Sequence, residues 1–97
     1  MTFQQLEYIV EISKCGSINK AAQKLFLSQS GISTAVRELE SELGIALLAR
    51  SNRGVEFTPE GKEFLSYAVS LLEQKRWIEG LYGEARNSAA PVRFLVS

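Results

Sequence analysis

A chain of 97 residues with 45% apolar content fits one small folded domain. Its 11 Lys and Arg balance 11 Asp and Glu, so a nucleic-acid reading has to rest on local placement of charge, not on a basic total. The lone cysteine, Cys15, excludes an intrachain disulfide, and neither a basic-then-apolar leader nor an apolar run of ~18–20 residues is present, so a soluble, cytoplasmic protein is expected.

Phe3, Leu6, Ile9, Val10 and Ser13 recur at three- and four-residue spacing and predict a first helix, ended by Gly16. Ser17 caps a second helix, Ile18 to Leu25, with Ile18, Ala21, Ala22 and Leu25 inward. Its paired alanines let another helix approach closely. Phe26 and Leu27 form a short connection. Ser28 caps a third helix from Gln29 to about Leu43, whose stripe is Ile32, Val36, Leu39 and Leu43, and Gly44 stops it.

From Ile45 the period changes. Ile45-Ala46-Leu47-Leu48 leads into a polar turn at 51–54, and Val55-Glu56-Phe57 alternates apolar and polar. This predicts two short strands in a β-hairpin, with Gly54 supplying an unusual backbone angle. Thr58-Pro59-Glu60 opens a fourth helix: a capping hydroxyl, a proline in the first turn, an acid near the positive end.

That helix runs from 59 to about 86. Phe64, Ala68, Leu71, Lys75, Ile78, Tyr82 and Ala85 repeat at four and three residues, a heptad seam interrupted at Lys75 and widened by Leu65, Leu72 and Leu81. So small a domain cannot bury this stripe alone. A homodimer is therefore expected, with Phe64, Ala68, Leu71, Ile78 and Tyr82 at its interface. Residues 87–91 read as a hinge and 92–96 as a strand without a partner, so the chain is expected to be a fragment of a longer protein.

The second and third helices make a helix-turn-helix. The first half of the third carries no acid, whereas Glu38, Glu40 and Glu42 crowd the second half and would repel phosphate. Only the first half can enter a groove, and its free amides favour phosphate. Gln29 can pair with adenine edges, and Ser30, Ser33 and Thr34 can bond bases or meet a thymine methyl. Arg37, one turn back, is placed for phosphate, for guanine, or for a surface pair with Glu38 or Glu40. Arg50 and Arg53 flank the hairpin turn, where a wing would meet the backbone or a minor groove, although Arg50 can instead brace the wing. Ser17, Lys20 and Lys24 are further phosphate candidates. Glu38, Glu40 and Glu42 are read as a solvated face.

Over residues 1 to about 86 the chain resembles the N-terminal region of LysR-type transcriptional regulators. The resemblance is carried by Leu6-x-x-Ile9/Val10, Gly16-Ser17-Ile18-x-x-Ala21-Ala22-x-x-Leu25, Ser28-Gln29-Ser30-x-Ile32-Ser33, Leu39-Glu40-x-x-Leu43-Gly44, Leu47-Leu48-x-Arg50 and Thr58-Pro59-x-Gly61. It implies a mainly α fold: a winged helix-turn-helix (three helices and a hairpin wing) at 1–58, then a dimerising linker helix at 59–87. The stretch 88–97 would be a hinge and the first strand of an otherwise absent C-terminal domain that binds a small-molecule effector. Three positions depart from the family pattern: Thr34 where arginine or lysine is common, Leu48 for phenylalanine, and Gly31 for alanine, serine or threonine.

No cofactor, metal or catalytic residue is expected in these residues. Histidine is absent, and there is no metal-ligand cluster, no glycine-rich phosphate loop and no base beside a serine. The expected function is sequence-specific binding of double-stranded DNA at an inverted repeat, with helix 29–43 in the major groove and the wing at 50–54 on the backbone or minor groove. Any tetramer would depend on the absent domain. The alternative is a winged helix used for protein–protein assembly, which the zero net charge keeps open.

Overall fold

The computed structural model describes residues 1–52 and 54–87. Helices α1 (Phe3–Cys15), α2 (Ile18–Leu25) and α3 (Gln29–Leu43) are followed by strands β1 (Leu48–Ser51) and β2 (Gly54–Phe57) and by the long helix α4 (Pro59–Asn87). Arg53 and the expected hinge and strand at 88–97 lie outside the described residues. The architecture is mainly α, as the sequence predicts.

Local chemistry sets the helix ends. Thr2 and Gln5 form a reciprocal capping box on α1, and Gly16 and Gly44 close α1 and α3 in the left-handed region at φ 72°. The α2–α3 connection falls at Phe26 and Leu27, where the sequence places it, but its left-handed conformation has no sequence mark. Phe26 takes φ 58°, its N–H bonding Gln23 O while that of Leu27 reaches Ala22 O at 2.9 Å. That is the bond pair glycine usually makes possible after a helix. Here a phenylalanine makes it, with its ring 94% exposed.

The three short helices enclose a core of Ile9, Ile12, Ala21, Ala22, Ile32, Val36, Leu39 and Leu47. The alanines of α2 are buried, as close helix packing requires. Helix α4 lies along α1 through a second cluster, Leu6, Val10, Ala68 and Leu72, with Phe64, Leu65 and Val69 against it. The early part of the heptad seam therefore serves this chain: Ala68 is fully buried and Phe64 half-buried within a single copy. Ala68 has no surface left for a second subunit, which corrects its expected place at the interface. The physical reason is length. Helix α1 has 13 residues and α4 has 29, about 20 Å against about 43 Å, so α1 covers only the first half of α4.

The wing is an antiparallel hairpin pairing Leu48 with Phe57, Ala49 with Glu56, Arg50 with Val55 and Ser51 with Gly54. Gly54 adopts φ 110°, the unusual angle expected of it. Strand pairing begins at Leu48. Residues 45–47 stay outside the ladder because the Leu47 N–H is taken by the Glu40 side chain and the Leu47 carbonyl by Thr58.

Candidate nucleic-acid interface

The start of α3 is built from a run of small polar residues. Ser28, extended at φ −78° and ψ 149°, turns its hydroxyl onto the Gly31 N–H at 3.0 Å. A Cβ at Gly31 would stand 2.9 Å from Ser28 Oγ, so a larger residue there would shift the serine side chain. The first turn holds no acid, so the positive end of the helix is uncompensated. Gln29, Ser30 and Thr34 are exposed and Ser33 is half-buried.

Beside this surface, α3 and the wing enclose a cleft of about 160 Å³. Ser33 and Arg37 line its helix side, and Ala49 and Arg50 its strand side. Arg37 and Arg50 are both exposed. Of the two partners considered for Arg37, Glu40 is committed elsewhere, and Arg37 has no ion pair among the described residues. The structure thus brings Ser33, Arg37 and Arg50 to one cleft, with Gln29, Ser30 and Thr34 alongside on the same helix.

The candidates on α2 differ from one another. Ser17 is its N-cap, accepting from the Lys20 N–H at 3.1 Å. Lys20 is exposed, whereas Lys24 lies 3.4 Å from Glu11 across the α1–α2 junction. Glu11 also accepts a hydrogen bond from the Cys15 thiol at 3.3 Å. That bond, with Lys24 beside it, holds the Glu11 carboxyl below its usual range. Burial and the same carboxylate push the Cys15 thiol up, so it stays protonated at neutral pH.

Glu40 is the residue that sequence reasoning misplaced. It is not part of a solvated face: its Oε2 accepts the backbone N–H groups of Leu47 at 2.7 Å and Leu48 at 3.1 Å. Opposite it, the Thr58 hydroxyl donates to Ala46 O at 2.5 Å and accepts from the Gly61 N–H at 2.9 Å. Gly61 is buried against Leu47, whose carbonyl oxygen an added Cβ would strike. Glycine in the first turn of a long helix was the available signal, since it marks a close backbone approach.

Far from the cleft, α4 leaves Leu71, Trp77, Ile78, Leu81 and Tyr82 exposed. Lys75, the polar interruption of the seam, is satisfied within the chain: it lies 2.9 Å from Glu79 and 5.5 Å from the centre of the Phe3 ring. Among the described residues, no helix is long and apolar enough to cross a membrane.

Residues 3–62 match the family described as bacterial regulatory helix-turn-helix protein, lysR family. The chain is similar to the HTH-type transcriptional regulator TcbR of Pseudomonas sp. (strain P51), 38% identical over 90 residues that cover 93% of this chain and 29% of that protein. It is 44% identical to BenM of Acinetobacter baylyi (strain ATCC 33305 / BD413 / ADP1) over 72 residues, 74% of this chain and 24% of that one. The chain thus spans under a third of the length of these curated relatives. Among solved structures, the BenM DBD in complex with catB site 1 DNA matches with a TM-score of 0.84 at 35% identity, covering 97% of this chain and all of that one. The complex of the CbnR DBD with DNA matches with a TM-score of 0.76 at 37% identity, covering 94% and 100%.

Proposed function

Since the chain belongs to the LysR family of bacterial helix-turn-helix regulators and is a DNA-binding domain of that type, we propose that it reads duplex sequence with the first half of α3. The supporting observation is the exposed, acid-free start of α3 beside a cleft carrying Arg37 and Arg50. Gln29 pairs with a base edge in the major groove, with Ser30, Ser33 and Thr34 bonding neighbouring bases or meeting a thymine methyl. Arg37 and Arg50 meet phosphate, and so does Arg53, which lies outside the described residues. Ser17 and Lys20 add backbone contacts from α2, with Lys24 a weaker contributor because Glu11 holds it.

The active form is a homodimer paired through α4. Support comes from the exposed Ile78 and Tyr82 in the second half of α4, and from the exposed Leu71, which shares an apolar groove of about 420 Å³ with Met1, Thr2, Phe3 and Leu6. Two copies place two α3 helices about one DNA turn apart, on an inverted repeat. Any tetramer depends on residues beyond this chain, and the site of action is the cytoplasm.

Selection of bound duplexes from a random pool, followed by affinity across a salt series, tests this. Enrichment of an inverted repeat with affinity falling steeply as salt rises is the expected result. A folded, dimeric protein that enriches nothing and shows no salt dependence would instead be an assembly module.

A further inference from the structure

The base of the wing is held from two sides. Glu40, in the second half of α3, accepts the N–H groups of Leu47 and Leu48 at 2.7 and 3.1 Å. Thr58, leading into α4, donates its own N–H to Leu47 O at 3.0 Å and its hydroxyl to Ala46 O. Leu47 itself is fully buried. Its N–H is thus fixed to the helix behind it and its carbonyl to the helix ahead.

We propose that Glu40 is a positioning residue for DNA binding: it fixes the wing against α3 so that Arg50 faces Arg37 across the cleft. The proposal rests on the DNA reading above. A two-stranded hairpin has little stability of its own, and in β1 only Leu48 is even half-buried. The wing is therefore placed by its base. The anchored Leu48 opens β1 two residues before Arg50, so slack at the anchor passes to the arginine. Glu40 also stands one helical turn after Arg37, the spacing at which the two would pair. The backbone amides of 47 and 48 instead hold one carboxylate oxygen, Oε2, and Arg37 forms no ion pair among the described residues, which leaves its guanidinium to meet phosphate. One side chain thereby sets both walls of the cleft.

The test is a binding cycle on the duplex selected by the wild-type chain, followed by fluorescence anisotropy over a salt series. Arg50→Ala is expected to weaken binding about fivefold and to flatten the log–log salt slope by about one. Glu40→Ala is expected to weaken it about tenfold with a similar loss of slope, because Arg50 is no longer held against the backbone. In the Glu40→Ala background, Arg50→Ala should then add less than about twofold, whereas Gln29→Ala should keep its full cost. Glu40→Gln, which retains an acceptor oxygen, should recover most of the affinity. A purely structural role would lower the folded fraction and leave slope and coupling unchanged. Wild-type affinity and slope in Glu40→Ala, or an undiminished Arg50→Ala penalty in its background, would overturn the proposal. If Glu40→Ala does not fold by circular dichroism, the cycle of Glu40→Asp with Arg50→Ala decides it by the same coupling, because the shorter carboxylate keeps the charge but does not reach both amides. Salt-insensitive wild-type binding would be a different result: it removes the DNA reading and this proposal with it.

Discussion

Replacing Gly61 by alanine should destabilise the protein, although alanine is the better helix former. In an open helix the exchange gains about 1 kcal/mol. At Gly61 the new Cβ would run into the Leu47 carbonyl, standing 3.0 Å from its carbon and 3.1 Å from its Cα. Those are backbone atoms of a fully buried residue, so the first turn of α4 has to move off the wing base. Overpacking of this kind costs about 2 kcal/mol. The displacement also stretches the Thr58 N–H bond to Leu47 O, now 3.0 Å, for roughly 1 kcal/mol more. The net effect is a loss of about 2 kcal/mol, or a fall in Tm of roughly 8–16 °C for a domain of this size. Thermal unfolding by circular dichroism measures it. Gly80→Ala is the control, because a Cβ there meets nothing within 4 Å and should stabilise slightly. An equal or higher Tm for Gly61→Ala would refute the close approach.

Other outcomes follow from the same geometry. Replacing both Leu71 and Ile78 with glutamate should leave folding intact, since both side chains are exposed in a single copy, yet give monomers in sedimentation with much weaker DNA binding; an unchanged mass would remove the α4 interface. Phe26→Gly should match or exceed wild-type thermal stability, because the ring is almost wholly exposed and glycine relieves a left-handed residue worth about 1 kcal/mol; a marked loss would show that the ring packs. The Glu11 carboxyl is held below its usual range in the folded state, so its contribution is present above the unfolded value and lost as pH falls through the folded one. Glu11→Gln should therefore show a shallower stability loss on acidification below the usual carboxylate range, and identical pH profiles would contradict the contact with Cys15 and Lys24.

The legible parts of the fold are those set by local chemistry. Helix α3 begins and ends where Ser28 and Gly44 mark it, because a cap and a stop act over a few residues. Gly54 likewise needs only its own turn. What escaped depends on partners distant in sequence. Periodicity gives α4 an apolar face without saying what lies against it, so Ala68 was assigned to a second subunit although α1 already covers it. Charge pattern shows that Glu40 sits among acids but not that two backbone N–H groups, seven and eight residues on, point at it. Phe26 carries no sequence mark of its left-handed conformation, since glycine is the usual signal for it. For the site, the grouping on α3 was readable because helical spacing alone places Gln29, Ser30, Ser33 and Thr34 together at one end. The cleft that joins Arg37 to Arg50 needed the wing's position, which its base determines.

The most direct measurement is a pair of parallel selections from one random duplex pool, with the wild-type chain and with Gln29→Ala. Reading by the first half of α3 requires the same inverted-repeat spacing in both, with base preference relaxed at one symmetric pair of positions in the variant. An identical consensus at every position would contradict base reading by Gln29, and the absence of any enriched site in either selection would contradict sequence-specific binding altogether.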